Sequence, residues 1–269
     1  APAETCENAG YTVSDAASTN GTILWTHDGL GTLINATTLT PTYTPVAGDA
    51  GNTVTLTLTV NGNGSCADAV DTKAITITDG PTADAGAATA ETCENASYTV
   101  TDAAVTNSAG ILWTENGAGS ITAGTETTLN PIYTPAAADA GTIVTLTLTV
   151  SGNGSCADAI DTKALSVTDG PTADAGAPGE TCENAGFTVS DATATNGTIL
   201  WTHDGLGTII NATTLTPTYT PVAGDAGNTV TLTLTVSGNG SCADATDTKA
   251  ITITDGPTAD AGATTAETC

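Results

Sequence analysis

The sequence predicts an all-β protein built from tandem two-sheet sandwich domains of about seven strands each. Three observations support this fold class. The three tryptophans, Trp25, Trp113 and Trp201, lie 88 residues apart. An alternating apolar and threonine segment at 53–60 returns at 143–150 and 229–236, and no window has helical periodicity. A period of this size exceeds that of solenoid repeats and suits small domains with their own cores.

The repeat boundaries follow from a second motif, Glu-Thr-Cys-Glu-Asn, which occurs at the start of each unit and again at the end of the sequence. We predict repeat 1 at 1–81, repeat 2 at 82–171, repeat 3 at 172–257 and the start of a fourth repeat at 258–269. Repeats 1 and 3 differ at only six positions between Glu4 and Ala87. Near-identity of non-adjacent units is typical of a spacer in which length matters more than individuality.

The elements of repeat 1 follow from alternation and turn residues. Glu4–Ala9 is predicted as an edge segment and turn, and 41–45 is predicted as a short strand whose prolines suit an edge or an end. The segment 82–86 is predicted to open the next domain. The predicted strands are 11–14, 22–26, 32–34, 41–45, 53–60 and 66–78.

The central strand of each repeat is the alternating segment. In a pleated strand, Val54, Leu56, Leu58 and Val60 share one face and the intervening threonines share the other. The strand therefore has a core side and a water side. Trp25, on the preceding strand, is predicted to be a core residue rather than a ligand platform.

Composition limits the function classes. The formal net charge is -26, with three lysines and no arginine, which excludes nucleic acid and anionic membrane as partners because both are bound through basic residues. There is no methionine and no apolar run long enough for a signal peptide or membrane span. We expect this sequence to be an excerpt from a longer mature protein.

Seven cysteines indicate disulfides and an oxidising, extracellular setting. Zinc is the competing interpretation, but the sequence has no C-x-x-C and only two histidines. Pairing within each repeat is the preferred connectivity, and a bridge from Cys6 to Cys156 of the next repeat is the alternative, since Cys6 and Cys66 would lie at opposite ends of a sandwich. The predicted disulfide residues are Cys6, Cys66, Cys93, Cys156, Cys182, Cys242 and Cys269.

The repeat as a whole resembles the PKD-like and Ig-like repeats of long secreted surface proteins, common in Bacteroidota. The residues that carry the resemblance are Trp25-Thr, Tyr43-Thr-Pro, Asp49-x-Gly, Val54-Thr-Leu-Thr-Leu-Thr, Gly64-Ser-Cys66, Asp71-Thr and Pro81-Thr-Ala-Asp-Ala-Gly86. The resemblance implies a seven-strand sandwich, export and display at the cell surface. It implies no catalytic residue.

Carboxylates are the one abundant reactive group, and those around the repeat junctions suggest a calcium site that would stiffen the junction. The alternative is a solvated acidic surface. No other cofactor is expected. The candidate calcium ligands are Asp79, Asp84, Glu91, Glu94, Asp169, Asp174, Glu180 and Glu183.

Other polar residues have structural interpretations. Asp49, Asp139 and Asp225 are predicted as turn formers, and Lys73 is predicted to form an exposed ion pair. His27 and His203 precede Asp-Gly in a turn, but repeat 2 has Glu115 there. No catalytic site is common to the repeats, so we predict that the chain is not an enzyme.

Two functions fit these observations. The first is the structural shaft of an extracellular fibre, filament or cell-surface stalk, a disulfide-stabilised spacer that self-associates or continues into neighbouring repeats, with 258–269 available for strand addition. The alternative is a multivalent adhesin whose loops 29–35 and 61–65 contact glycan or protein, with three copies giving avidity.

Overall fold

The computed structural model describes residues 3–262 of the chain. These residues fall into two compact units. The first lies within Ala1–Ala90, Tyr98–Thr134 and Ile143–Leu165, and the second lies within Glu91–Ser97, Pro135–Thr142 and Ser166–Cys269. The predicted repeat boundaries stay a prediction.

Repeat 1 folds as a two-sheet sandwich in the first unit. One sheet has the order β1-β7-β6-β3, and the other has the order β2-β5-β4. Its strands are β1 (Ala3–Cys6), β2 (Tyr11–Thr12), β3 (Gly21–His27), β4 (Thr32–Ile34), β5 (Thr42–Thr44), β6 (Thr53–Gly62) and β7 (Ala69–Thr78).

Repeat 2 contains nine strands in its described residues, two more than repeat 1. In the first unit, β8 pairs with β11, β12 pairs with β15, and β10, β14 and β13 form a sheet in that order. The strands are β8 (Thr82–Asp84), β9 (Thr89–Cys93), β10 (Tyr98–Thr99), β11 (Ala104–Thr106), β12 (Gly110–Glu115), β13 (Ser120–Ile121), β14 (Ile132–Thr134), β15 (Ile143–Ser151) and β16 (Ala159–Thr168).

Repeat 3 lies in the second unit. A four-stranded sheet of order β18-β25-β24-β21 is accompanied by a three-stranded sheet β19-β23-β22 and by the pair β17-β20. The strands are β17 (Thr172–Asp174), β18 (Gly179–Cys182), β19 (Phe187–Thr188), β20 (Thr193–Thr195), β21 (Gly197–His203), β22 (Thr208–Ile210), β23 (Thr218–Thr220), β24 (Thr229–Gly238) and β25 (Ala245–Thr254).

The all-β sandwich prediction is confirmed, and the alternating segment is an interior strand of its sheet. Val54, Leu56 and Leu58 are buried on one face of β6, and Trp25 packs in the same core. Of the two places predicted for the prolines of 41–45, an edge or an end, the structure has the end, because β5 is the middle strand of its sheet. The two prolines lie just outside Thr42–Thr44, so they remove no donor from the ladder.

Candidate functional site: the joints between repeats

The strand that carries the Glu-Thr-Cys motif brings its cysteine to the end of the last strand of the repeat. In repeat 1, β1 runs parallel to β7 and places Cys6 beside Thr78. In repeat 3, β18 pairs in the same way with β25 and places Cys182 beside Thr254. Each motif cysteine therefore lies at the end of the domain where the chain passes to the next repeat.

Two disulfides join successive repeats. Cys6 is bonded to Cys156, with the Cα atoms 4.8 Å apart, and Cys93 is bonded to Cys242, with the Cα atoms 4.9 Å apart. We call these contacts joint 1 and joint 2; joint 1 lies within the first unit and joint 2 within the second. Cys66 and Cys182 carry free thiols, and Cys269 lies outside the described residues.

The preferred prediction of pairing within each repeat was wrong, and the structure has the alternative that was left open. Cys66 lies in the loop between β6 and β7, whereas Cys6 is paired with the last residue of β7. The ten residues of β7 span roughly 30 Å, and a disulfide requires Cα atoms within about 7 Å. The two cysteines of one repeat therefore cannot meet.

In joint 1, the carboxylate of Glu4 lies on the loop that contains the partner cysteine. Its Oε1 atom accepts hydrogen bonds from the Thr78 hydroxyl (2.8 Å) and the Ser155 N–H (3.3 Å). Gly154 has a φ of +55°, and a Cβ atom there would overlap the Glu4 carboxylate. Glycine is thus required by both backbone conformation and space.

Joint 2 repeats this geometry. The Oε1 atom of Glu91 accepts hydrogen bonds from the Thr168 hydroxyl and the Ser241 N–H, both at 3.1 Å. Gly240 has a φ of +57° and is covered by the Glu91 carboxylate. Because two joints with different neighbours have the same contacts, the Glu-Thr-Cys end and the Gly-Ser-Cys loop form a matched pair.

The remaining motif residues shape the same end of the domain. The Thr5 hydroxyl donates to the Ala9 carbonyl (2.9 Å) and closes the turn after β1. The second glutamate holds the chain between repeats, since Glu7 Oε1 accepts from the Gly80 N–H (3.1 Å). Glu94 and Glu183 accept from the equivalent glycines, Gly170 and Gly256.

The segment that opens repeat 2 completes its sandwich. Ala83 of β8 pairs with Val105 of β11, and the next apolar residue, Ala85, is fully buried. The Ala85 N–H donates to the Asp161 carboxylate at 2.7 Å. In repeat 3, Ala175 is buried likewise and donates to Asp247 at 2.8 Å.

The lysines of repeats 2 and 3 lie beneath this opening segment. Lys163 Nζ donates to the Ala87 carbonyl (2.8 Å) and to the Asp102 carboxylate (3.1 Å). The hydrogen bond from the Ala87 N–H and the Lys163 ammonium hold the pKa of Asp102 below its ordinary value. The ion pair predicted for Lys73 has buried counterparts in the other repeats, since Lys163 and Lys249 are 1% and 2% exposed beneath the opening segment. Lys73 is 24% exposed and pairs with Asp15.

The aspartate of the Asp-Ala-Gly corner is buried and hydrogen-bonded. Asp49 accepts hydrogen bonds from the Leu30 N–H (2.7 Å), the Tyr43 hydroxyl (2.7 Å) and the Val46 N–H (3.1 Å). Burial acts to raise the pKa of Asp49, but these hydrogen bonds outweigh it and leave the pKa below its ordinary value. Burial and the bond to Asp49 raise the pKa of Tyr43 to about 12. The corner is therefore a structural element.

The carboxylates predicted to bind calcium do not come together. No group of three or more His, Cys, Asp or Glu side chains in residues 3–262 could hold a metal ion. Asp84 and Asp174 accept from the N–H groups of Gly86 and Gly176, two residues on. Glu91, Glu94 and Glu183 are engaged at the joints and inter-repeat turns described above. The structure places Asp79, Asp169 and Glu180 near the same repeat ends without forming a cluster.

The two loops predicted to contact a ligand have internal roles. Gly29 and Gly31 lie against the Tyr43 hydroxyl, where a Cβ atom would overlap it. The equivalents of loop 61–65 in repeats 2 and 3 receive Glu4 and Glu91 at the joints. These glutamate contacts could not be predicted from local sequence, because their partners lie about 150 residues away.

No helix in the described part of the chain is long and apolar enough to cross a membrane. No protein-family model matches the chain, and no curated protein matches it. Among solved structures, the I-band fragment I67-I69 from titin matches with a TM-score of 0.50 and 13% identity, covering 94% of this chain and 95% of that one. An E-to-A mutated variant of titin domains I67-I69 matches with the same score and identity, covering 95% and 96%. At this identity the likeness concerns the fold alone, a tandem of Ig-like domains.

Proposed function

We propose that this chain is a structural spacer of an extracellular stalk, filament or fibre, in which disulfides connect each repeat to the next. One observation carries the proposal: both bridges cross a repeat boundary, and each is accompanied by the same glutamate contact. A bridge placed for the stability of a single domain would lie within that domain. Disulfides persist in oxidising compartments, which supports an extracellular location.

The connectivity has a mechanical consequence. Because Cys93 lies between Cys6 and Cys156 in sequence, the two closed loops overlap. A force applied at the chain ends passes from Cys6 to Cys156, back along the chain to Cys93, and across the second bridge to Cys242. The shortest covalent path between Cys6 and Cys242 therefore runs over the 63 residue-to-residue steps from 93 to 156 instead of the 236 steps from 6 to 242.

The surface chemistry agrees with this role. A net charge of -26 keeps such chains soluble and mutually repulsive. The adhesin alternative is less favoured, because loop 29–35 packs against Tyr43 and the equivalents of loop 61–65 in repeats 2 and 3 are engaged with Glu4 and Glu91. We therefore assign neither a ligand nor a catalytic role to the chain.

Single-molecule extension tests the proposal. At full extension, the path between Cys6 and Cys242 should reach about 210–230 Å in the oxidised chain and about 780–850 Å after reduction, at roughly 3.3–3.6 Å per residue. The variant Cys156→Ser should lengthen the oxidised path to the 87 residue-to-residue steps from 6 to 93, or about 290–310 Å. An oxidised chain that stretches as far as the reduced one would contradict the proposal.

A further inference from the structure

Eight Asn-x-Ser/Thr sequences occur in the chain, and the structure separates two of them from the rest. In secreted proteins this sequence is the acceptor of N-linked oligosaccharide when the middle residue is not proline. Because the sugar is transferred to the asparagine amide, the fold decides which of the eight can react. The asparagines are Asn20, Asn35, Asn63, Asn95, Asn153, Asn196, Asn211 and Asn239.

At four of these positions the side-chain amide is held within the fold. The Nδ2 atom donates to a backbone carbonyl in each case: Asn63 to Asn20 at 2.9 Å, Asn153 to Asn107, Asn196 to Gly170 at 3.0 Å, and Asn239 to Asn196 at 3.0 Å. Such an amide must give up its hydrogen bond before it can accept a sugar, which costs free energy.

Two further positions are obstructed in other ways. The Thr22 hydroxyl, two residues after Asn20, accepts a hydrogen bond from Asn61 Nδ2 at 3.4 Å. Asn95 lines the cleft at joint 2, where a Cβ atom on Gly170 would come within 3.1 Å of the Asn95 Nδ2 atom. Neither sequence therefore presents both its amide and its hydroxyl to a large enzyme.

The two remaining sequences present both groups. Asn35 and Thr37 are exposed in repeat 1, and Asn211 and Thr213 are exposed in repeat 3. Within residues 3–262, none of these four side chains has a hydrogen-bond partner. The two sites have equivalent places in the two repeats, directly after β4 and β22.

The local turn accounts for the asparagine but not for the threonine. Asn35 has a φ of +57°, in the left-handed region where asparagine is enriched. Its carbonyl accepts from the N–H and from the hydroxyl of Thr38, both at 3.0 Å. Asn211 has a φ of +55° and the same turn. The turn thus uses the asparagine backbone and leaves its amide and the Thr37 hydroxyl to solvent.

Each site adjoins an open edge of a sheet. Strands β4 and β22 are edge strands, and the residues that precede the asparagines, Ile34 and Ile210, are 55% and 59% exposed. Open edges and exposed apolar side chains favour pairing between chains, and a glycan at this place would cover both. In repeat 2, the edge strand β13 has two residues and is followed by Thr122 and Ala123.

We propose that Asn35 and Asn211 are N-glycosylation sites that take an oligosaccharide from a polyprenyl-pyrophosphate donor. In the transfer, the amide Nδ2 atom forms a bond to C1 of the first sugar, and the bond from C1 to the pyrophosphate oxygen breaks. The lipid pyrophosphate leaves, and the amide proton passes to a base of the transferase. This inference goes beyond the spacer function and shares with it only the extracellular location.

Transfer to the folded chain tests the two sites. The oxidised full chain is incubated with a single-subunit eukaryotic oligosaccharyltransferase and a dolichyl-pyrophosphate-linked oligosaccharide. Enzymatic release of the glycans in isotopically labelled water then marks every occupied asparagine as a labelled aspartate in peptide mass spectra. We expect occupancy at Asn35 and Asn211 to exceed that at Asn153, Asn196 and Asn239 by at least about tenfold, because those three amides are hydrogen-bonded.

Synthetic peptides of the same sequences provide the reference without the fold. Occupancy at each site of the chain is divided by that of its peptide, which removes the difference between Asn-x-Thr and Asn-x-Ser acceptors. Modification of the Asn35 and Asn211 peptides without modification of the folded chain would overturn the proposal. Equal corrected occupancy at all five asparagines would do the same.

Two variants test the part played by the hydroxyl. Thr37→Val keeps the side-chain shape and should abolish transfer to Asn35 while transfer to Asn211 is unchanged. Ala123→Asn is the matched control, since it creates an Asn-Gly-Thr sequence in repeat 2 at an exposed position. There the Thr125 hydroxyl donates to the Thr122 carbonyl (2.7 Å) and accepts from the Ile132 N–H (3.1 Å).

Transfer to the new sequence in Ala123→Asn should therefore stay at least about tenfold below transfer to Asn35. Equal transfer would show that the fold does not select among these sequences and would overturn the proposal. The spacer proposal fails in a different experiment, because the extension lengths depend on the bridges Cys6–Cys156 and Cys93–Cys242. Neither bridge takes part in the transfer.

Discussion

At the scale of single residues, each repeat depends on polar side chains with several partners. Asp225, like Asp49, is buried and accepts from a tyrosine hydroxyl and two backbone N–H groups. Such a group costs free energy unless its hydrogen bonds are complete. The spacing of tyrosine and aspartate six residues apart therefore reflects a buried network, which the sequence alone indicated only as a turn.

Tyr219 and Asp225 make the free energy of unfolding depend on pH in both the alkaline and the acidic range. Burial and the bond to Asp225 raise the pKa of Tyr219 from 10.0 to about 12, so its contribution is complete below pH 10 and is lost as the pH rises to about 12. The pKa of Asp225 is lowered from 3.8, since the hydrogen bonds outweigh burial. Its contribution is present above pH 3.8 and is lost as the pH falls below that value.

The double variant Tyr43→Phe and Tyr219→Phe should lower the free energy of unfolding by about 1–3 kcal/mol per site, because each leaves a buried carboxylate short of one donor. It should also reduce the loss of stability between pH 10 and 12. Urea denaturation across pH measures both effects. Tyr11→Phe is the control, since repeat 3 has Phe187 there, and it should change stability by under about 0.5 kcal/mol. Equal effects in the two variants would count against the network.

The joint glycines give a second prediction. Gly240→Ala introduces a Cβ atom at a φ of +57° and against the Glu91 carboxylate. Gly64→Ala has the same type of backbone conformation, at +67°, but no neighbour within 4 Å. Strain at positive φ costs about 1–2 kcal/mol in either variant.

Displacing Glu91 should add about 1–3 kcal/mol to the loss of unfolding free energy caused by Gly240→Ala. The Glu91 carboxylate and the backbone N–H that donates to it would each be left without a hydrogen-bond partner. Thermal and urea unfolding of the two variants measure the difference. If the two substitutions cost the same, the glutamate contact has no energetic role in the joint.

At the scale of elements, the opening strand is the feature that distinguishes the repeats. Repeats 2 and 3 have nine strands each in the described residues, and repeat 1 has seven. The additional pairs, β8 with β11 and β17 with β20, have three residues per strand. Their alanines nonetheless enter the core, which keeps the lysine below them buried.

The opening segment is the sequence Thr-Ala-Asp-Ala-Gly at 82–86, 172–176 and 258–262. The effect of a substitution in the opening segment on stability should depend on whether that copy of the segment is paired in a sheet. Ala175→Leu should destabilise repeat 3 by about 1–3 kcal/mol, because three extra carbon atoms are forced into a filled core. Ala261→Leu should leave monomer stability within about 0.5 kcal/mol, since this residue is exposed. Calorimetry at low protein concentration makes the comparison. A similar loss in both variants would show that burial of the opening alanine is not the cause.

Alternation and turn residues were sufficient to predict most strands from the sequence. Thr53–Gly62 and Ala69–Thr78 were predicted to within a few residues, and Trp25 was correctly placed in the core. The buried lysines were missed, because what covers Lys163 is a strand whose partner and acceptor are remote in sequence. A strand of three residues is too short to give a periodic signal.

At the scale of the whole molecule, the sequence located the cysteines but left their connectivity open. The recurrence of two cysteines in each repeat suggested one bridge per repeat. Composition carries no information on which end of a sandwich each cysteine reaches. The deciding feature is the parallel pairing of β1 with β7, which takes Cys6 to the opposite end from Cys66. Each bridge therefore joins cysteines of two successive repeats.

Peptide mapping with a lysine-specific protease tests this connectivity most directly. The three lysines, Lys73, Lys163 and Lys249, divide the chain so that the two cysteines of each repeat fall in one peptide: 1–73, 74–163 or 164–249. The free thiols are alkylated and the oxidised chain is digested in denaturant. We expect these three peptides to remain one covalent species, through Cys6–Cys156 and Cys93–Cys242, that separates only on reduction. Three separate peptides, each with an internal bridge, would contradict the account.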